Sequence, residues 1–174
     1  MKELPQRKAT RLQGFDYSQN GAYFVTICTK DRKNLFWESH ANTQIVTWNS
    51  VGANCVRPQN LPLSSIGKIV AHQLEKWHST YDDVYLYTYV IMPNHLHIII
   101  NILPRKNGRP QDAPTLSRMI KQFKGAVSKT VGETIWQRSF YDHVIRGKED
   151  FEKIQEYVCG NPYKWQEDSL YVDE

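Results

Sequence analysis

The sequence predicts an α+β fold: an antiparallel sheet with the element order β-α-β-β-α-β, the ferredoxin-like split β-α-β pattern, followed by a C-terminal helix that carries a tyrosine. Two observations support this prediction. Runs of β-branched and aromatic residues alternate with segments of helical periodicity, and a Pro-Asn turn joins two of the runs. The 174 residues, 40% of them hydrophobic, suffice for one core. We therefore expect a single domain over residues 1–174, with an irregular insertion around 37–63.

Four segments are rich in the residue types that favour strands. They are 23–31, 84–92, 95–103 and 134–146, the last with an irregular middle. Two shorter strands, near 35–37 and 44–48, are expected in the insertion. The turn at Pro93 and Asn94 makes the second and third main strands an antiparallel hairpin.

Three segments show the spacing of apolar residues that is typical of helices. Ser64 caps the first helix, whose apolar positions recur as far as Tyr81. Thr115 caps the second helix, and Gly132 ends it. The last helix turns an apolar stripe inward at Phe151, Ile154 and Val158. We expect the first two helices to cover one face of the sheet.

Two histidines, His95 and His97, begin the third main strand. Side chains alternate across a strand, so both imidazoles point to the same face. A buried imidazole needs a partner for each ring nitrogen, and a shared cation would serve both rings. The pair is therefore a candidate metal site. Two independent histidines, each hydrogen-bonded to backbone or solvent, would give the same spacing.

Tyr157 and Asn161 lie four residues apart at the end of the last helix, so they stack on one edge of it. Pro162 disfavours helical geometry at Asn161, which should place that residue in the last turn or at the cap. A hydroxyl and an amide oxygen would then emerge together. A partly buried tyrosine and an asparagine cap are also common structural features.

The charge of the chain, +4 in total, is unevenly distributed. Between Pro104 and Thr130 seven basic residues face one acid, whereas the segment 147–174 carries a net −5. A basic block is typical of proteins with a polyanionic partner, although a solvated helix face beside a basic loop at 105–114 gives the same pattern. The basic residues are Arg105, Lys106, Arg109, Arg118, Lys121, Lys124 and Lys129.

No apolar run has the length of a membrane span, and the N-terminus lacks the apolar stretch of a signal peptide. We therefore expect a cytoplasmic protein that does not enter the membrane. Cys28, Cys55 and Cys159 are far apart and form no C-x-x-C pair, so we expect them to be reduced.

Four segments together resemble the single-tyrosine (Y1) HUH transposases of the IS200/IS605-like family, and most closely their REP-associated tyrosine transposase branch. The segments are Arg11–Tyr17 leading into Tyr23, Met92–His97, Trp136–Arg146 and Glu156–Pro162. They cover most of the chain in the right order, and the stretch from about 37 to 63 matches poorly.

The resemblance implies a metal-dependent enzyme that cleaves and rejoins single-stranded DNA at REP-like hairpins. His95, His97 and Asn161 would hold one divalent ion, Mg²⁺ or Mn²⁺, and Tyr157 would attack a DNA phosphate to form a 5′-phosphotyrosine. The wider family often has Gln at the position of Asn161, whereas the REP-associated branch has Asn. A homodimer is compatible with the resemblance, since some relatives build their sites from two chains.

Several basic residues near these motifs are candidates for DNA contact, although each could equally be a solvated surface charge, and Asp142 and His143 could form a structural pair. The candidates are Arg7, Lys8, Arg11, Lys121, Lys124, Arg138, His143 and Arg146. Two other functions remain open. One is a non-catalytic nucleic-acid-binding module on the same fold, and the other is a metal-dependent hydrolase in which the Tyr157 hydroxyl is only structural.

Overall fold

A four-stranded antiparallel sheet forms the centre of the computed structural model, which describes residues 19–38, 61–104 and 115–173. The strands lie in the order β2-β3-β1-β4, so β3 is inserted between β1 and β2 and is antiparallel to both. This is the split β-α-β arrangement, and the predicted α+β fold is confirmed. The strands are β1 (Gly21–Cys28), β2 (Val84–Ile91), β3 (His95–Ile102) and β4 (Tyr141–Ile145).

The helices begin and end close to the predicted signals. The Ser64 hydroxyl accepts from the Gly67 backbone N–H, the Thr115 hydroxyl accepts from that of Arg118, and Gly132 takes the left-handed conformation at φ 91°. The helices are α1 (Ser65–Glu75), α2 (Trp77–Thr80), α3 (Leu116–Val131) and α4 (Gly147–Gly160), and a 3₁₀ segment (Asn161–Glu167) follows. The helix expected to run to Tyr81 is interrupted at Lys76, which separates α1 from α2.

The two faces of the sheet are covered by different helices. α4 contacts β2 and β3 on the face that carries the histidines, whereas α1 and α3 contact each other and bury their apolar stripes in the core. In the ladder, His95 pairs with Cys28 and His97 pairs with Thr26. Leu96, between them, points to the opposite face and is also fully buried. The histidine pair therefore lies between the sheet and α4.

Some predicted elements are shorter than expected. The first strand ends at Cys28, because the chain turns into a 3₁₀ segment (Lys30–Arg32) in which Asp31 and Arg32 have positive φ. The fourth strand spans only Tyr141–Ile145, and Trp136 forms a single bridge to Thr29. The strand expected at 35–37 is reduced to one bridge at Trp37. The predictions for 44–48 and 105–114 lie outside the described residues.

Two further observations concern the cysteines and the membrane. Cys159 forms a disulfide and Cys28 is free, so the expectation of three reduced cysteines is wrong. Within the described ranges, every helix is too short or too polar to cross a bilayer.

Candidate active site

His95 and His97 bring their Nε2 atoms to within 3.1 Å of each other. Both side chains are buried, with exposed fractions of 0% and 2%. Neighbouring ligands around an octahedral ion with bonds of about 2.1 Å are about 3 Å apart, so the two nitrogens have the separation that one shared cation requires.

Each imidazole is held in place at Nδ1, the nitrogen that faces away from the other ring. His95 Nδ1 donates to Asn94 Oδ1 at 2.8 Å. That oxygen acts as the acceptor because Asn94 Nδ2 donates to two backbone carbonyls. His95 therefore keeps its proton on Nδ1, and the lone pair on its Nε2 faces His97 Nε2. His97 Nδ1 lies 2.9 Å from Thr26 Oγ1. A hydrogen bond at the second ring nitrogen is typical of histidines that bind metals.

Burial keeps both imidazoles neutral. Loss of hydration, with a smaller effect of the Arg32 guanidinium, lowers the pKa of His95 to about 3. Burial and the neighbouring His95 lower the pKa of His97 well below its ordinary value, while the Asp168 carboxylate opposes that change. Since only the neutral ring can bind a metal, both side chains are in the ligating form at neutral pH.

Tyr157 projects from α4 towards the histidine pair. Its hydroxyl lies 3.3 Å from His97 Nε2, and its ring packs against the rings of His97 and Phe24. The side chain is 47% exposed, so the hydroxyl lies where the buried pair meets the surface. Burial and the Asp168 carboxylate raise its pKa to about 12. The phenol is therefore protonated at neutral pH, and attack would require help with deprotonation.

Asn161 caps the end of α4, as predicted, but its backbone geometry differs from the expectation. It is right-handed helical, with φ −57° and ψ −44°, although Pro162 follows, because the chain continues directly into the 3₁₀ segment. Its side chain is buried, and Nδ2 donates to Asp168 Oδ2 at 2.8 Å. Its Oδ1 is buried with no hydrogen-bond partner among the described residues. An unpaired buried amide oxygen is costly, so this atom fits the role of a cation ligand.

Asp168 is the acidic member of this site. A carboxylate oxygen of Asp168 lies within 4.8 Å of the ligand nitrogens of His95 and His97. Its Oδ2 also accepts a long hydrogen bond, 3.5 Å, from the Tyr157 hydroxyl. The donor set of two neutral imidazoles, an amide oxygen and a carboxylate suits a divalent ion such as Mn²⁺ or Mg²⁺.

A cleft of about 440 Å³ opens beside Tyr157. It shares Ser139 and Phe140 with a second cleft of about 540 Å³ that lies against α3. The first cleft is lined by Arg32, Gln137, Tyr141 and Leu170, among others, and the second by Ser117, Ile120, Lys121, Lys124 and Arg138. A path with basic and aromatic walls therefore leads from α3 to the tyrosine.

The predicted DNA-contact residues on α3 and in the loop that follows it have different surroundings in the structure. Lys121 is exposed and, with Arg138, lines the second cleft. The Lys124 ammonium donates to three successive backbone carbonyls of residues 137–139, so it holds that loop in place. These contacts give Lys124 a structural role. Its contact with DNA stays a prediction.

The remaining DNA-contact candidates lie near the start of α4 or outside the described residues. His143 Nε2 lies 2.9 Å from Asp150 Oδ2, and the same oxygen accepts from the Arg146 backbone N–H. His143 is therefore paired with Asp150, whereas Asp142 points to the opposite side of the strand. DNA contact by His143 and Arg146 stays a prediction. Arg7, Lys8 and Arg11 lie outside the described ranges.

Three residues of the site were missed by sequence reasoning. Asn94 was predicted only as part of a turn, although its position directly before the first histidine was a usable signal. Thr26 could have been found from the register of two neighbouring strands. Asp168 has no local signal, since it is one acid in an acidic segment and reaches the site only through the 3₁₀ turn.

The chain is similar in sequence to two proteins of Haemophilus influenzae. No protein-family model matches the chain. An uncharacterized protein of Haemophilus influenzae is 30% identical over 189 aligned positions, covering 98% of this chain and 96% of that protein. A second H. influenzae protein, named "Putative REP-associated tyrosine transposase", is 22% identical over 157 positions, covering 86% of this chain and 74% of that protein.

A solved structure, that of a REP-associated tyrosine transposase bound to a REP hairpin, has the same fold. Its TM-score is 0.54 at 20% identity, with 95% of this chain and 74% of that chain covered. The chain thus has the fold of a tyrosine transposase, with a histidine pair on the sheet and a tyrosine on the facing helix. It belongs to the family of the uncharacterized H. influenzae protein. The resemblance indicated by the motifs is confirmed in sequence and in fold.

Proposed function

We propose that this chain is a tyrosine transposase that uses a divalent metal ion to cleave and rejoin single-stranded DNA through a 5′-phosphotyrosine. One observation carries the proposal: the Tyr157 hydroxyl lies 3.3 Å from His97 Nε2, at the edge of a buried histidine pair. A packed core tyrosine would have no reason to present its hydroxyl to a buried histidine nitrogen at the edge of an open cleft.

Each residue of the site has a separate role in the proposed reaction. Asn94 and Thr26 orient the imidazoles, so that His95 and His97 present Nε2 to one point. A divalent ion held by those nitrogens and by the Asn161 amide oxygen would polarise the scissile phosphate as a Lewis acid. Tyr157 would then attack phosphorus and lose its hydroxyl proton to water, and water would return a proton to the leaving 3′ oxygen.

The covalent step needs no external energy source. As the Tyr157 Oη–P bond forms, the bond from phosphorus to the 3′ oxygen breaks, and that oxygen takes a proton to become a free 3′-hydroxyl. Attack of a 3′-hydroxyl on the phosphotyrosine reverses the exchange and frees the tyrosine. The bond count is unchanged in each step, so cleavage and rejoining are both possible without ATP.

The substrate we propose is single-stranded DNA with a hairpin. The related transposase of known structure is bound to a REP hairpin. In this chain, Phe140 and Tyr141 line the cleft beside Tyr157 and could stack unpaired bases, while Lys121 and Arg138 line the adjoining cleft and could follow phosphates. A homodimer and a cytoplasmic location remain expectations.

The test of this function is the formation of a covalent protein–DNA adduct. Purified protein is incubated with labelled single strands from the DNA flanking its gene, with Mn²⁺ or with a chelator, and is analysed on a denaturing gel. We expect a shifted protein band and a shortened strand with Mn²⁺ and neither with the chelator. Hairpin binding without an adduct would favour the non-catalytic module, and cleavage without an adduct would favour the hydrolase.

The basic cleft carries a separate prediction about DNA binding. Replacing Lys121 and Arg138 together by Gln should weaken binding to all single strands and reduce the slope of log affinity against log salt by about 0.7 for each phosphate that the protein no longer neutralises. Binding titrations at several salt concentrations measure this slope. Lys129→Gln, an exposed change on the same helix, is the matched control. A slope equal to that of the control would mean that the two residues only face solvent.

A further inference from the structure

We propose that Asp168 is an additional ligand of the divalent cation and supplies the negative charge of the site. This inference rests on the proposed function, because it extends the cation site of the same enzyme. It assigns a metal-binding role to a residue outside the three ligands that the motifs predict.

The position of the Asp168 carboxylate is the first reason. One of its oxygens lies within 4.8 Å of the ligand nitrogens of both histidines, so the three groups surround a common point. Its Oδ2 is also 2.8 Å from Asn161 Nδ2. The two histidines, Asn161 and Asp168 therefore form one contiguous cluster.

The charge of the cluster is the second reason. His95 and His97 would bind a cation as neutral imidazoles, and the Asn161 amide carries no charge. A site with those three ligands alone would leave both charges of a divalent cation uncompensated. Mg²⁺ and Mn²⁺ prefer oxygen ligands and carboxylates in particular, so Asp168 provides the ligand type that the predicted set lacks.

The surroundings hold Asp168 in a defined position, which is the third reason. Its Oδ1 accepts from the Leu170 backbone N–H at 2.6 Å, and its own N–H donates to the Trp165 carbonyl. The carbonyl of Leu170 in turn accepts from Asn94 Nδ2, the side chain that orients His95. The carboxylate is thus fixed to the same hydrogen-bond network as the histidine pair.

The hydrogen bond between Asp168 and Asn161 explains why the amide oxygen of Asn161 is left without a partner among the described residues. Because Asp168 accepts from Nδ2, the amide is fixed with Nδ2 towards the carboxylate, and Oδ1 is left buried without a partner among the described residues. A cation bound by both side chains would satisfy that oxygen. The same contact defines the rival role, in which Asp168 acts only through the orientation of Asn161.

Direct measurement of Mn²⁺ binding to the full chain tests the proposal. Calorimetry, together with the electron paramagnetic resonance signal of free Mn²⁺, gives the affinity without DNA or activity. Asp168→Asn removes the charge but keeps one oxygen of similar reach, which can still accept from Asn161 Nδ2, while the Leu170 N–H loses its acceptor because it bonds to the other carboxylate oxygen. We expect it to weaken Mn²⁺ binding about tenfold or more. Glu167→Gln, an exposed change one residue earlier, should leave the affinity unchanged.

The outcomes separate this inference from the proposed function. If Asp168→Asn binds Mn²⁺ like the wild type while Asp168→Ala binds it more weakly, Asp168 only orients Asn161, and its role as a charged ligand is overturned. If His97→Asn also binds Mn²⁺ like the wild type, the cation site itself is wrong. If Asp168→Asn loses Mn²⁺ but no adduct forms with the wild type, the inference stands and the proposed function fails. Thermal unfolding of each variant verifies that it is folded.

Discussion

Tyr157→Phe is expected to bind hairpin DNA like the wild type and to form no covalent adduct with it. The phenylalanine ring keeps the packing against His97 and Phe24, and the hydroxyl that is removed makes long hydrogen bonds to His97 Nε2 and Asp168 Oδ2, at 3.3 and 3.5 Å. The cost in folding free energy should therefore not exceed about 1 kcal/mol. The nucleophilic oxygen, however, is removed completely.

A denaturing gel measures the adduct, and mass spectrometry of the wild-type adduct identifies the modified residue. Tyr163→Phe is a suitable control, because Tyr163 is exposed to a similar degree, 50% against 47%, in the segment that follows the same helix. We expect this control to form the adduct. A nucleotide attached to Tyr141 or Tyr163 would contradict the assignment of the nucleophile.

The sequence was sufficient for most of the fold because the signals that define it are local. The caps at Ser64 and Thr115 and the left-handed Gly132 are each determined within one helical turn. The ends of strands were harder to predict. β1 stops at Cys28 because the chain turns into a 3₁₀ segment at Lys30–Arg32, where Asp31 and Arg32 take positive φ values that few residues other than glycine adopt. The residue types of this segment do not by themselves predict such a turn.

In the candidate site, too, some residues follow from a local sequence pattern and others do not. The spacing of His95 and His97 and the four-residue offset of Tyr157 and Asn161 follow from strand and helix periodicity, and the structure brings Tyr157 to the histidines as expected. Asp168 joins the site through the path of a 3₁₀ segment, and this path could not be read from the residue types.

Because His95 and His97 are buried, an alanine substitution at either position cannot test metal binding alone. In the structure both imidazoles are inside the protein, and alanine at position 97 would leave a cavity and the Thr26 hydroxyl without its partner. Replacing a large buried side chain by alanine commonly costs about 2–5 kcal/mol. A loss of activity in an alanine variant would therefore not separate metal binding from folding.

His97→Asn avoids this problem and is expected to abolish Mn²⁺ binding and DNA cleavage together. The asparagine amide reaches the position of Nδ1 and can keep the contact with Thr26, but it places no atom at Nε2, which is 3.1 Å from His95 Nε2 and 3.3 Å from the Tyr157 hydroxyl. Loss of one ligand should weaken Mn²⁺ binding by more than the roughly 10–100-fold that loss of a supporting hydrogen bond costs. Cleavage should fall at least as far. His72→Asn, an exposed histidine on α1, is the control and should change neither property. If His97→Asn cleaved DNA at the wild-type rate with a normal Mn²⁺ requirement, the ion would have to bind elsewhere, and Tyr157 would have to act without the histidine pair.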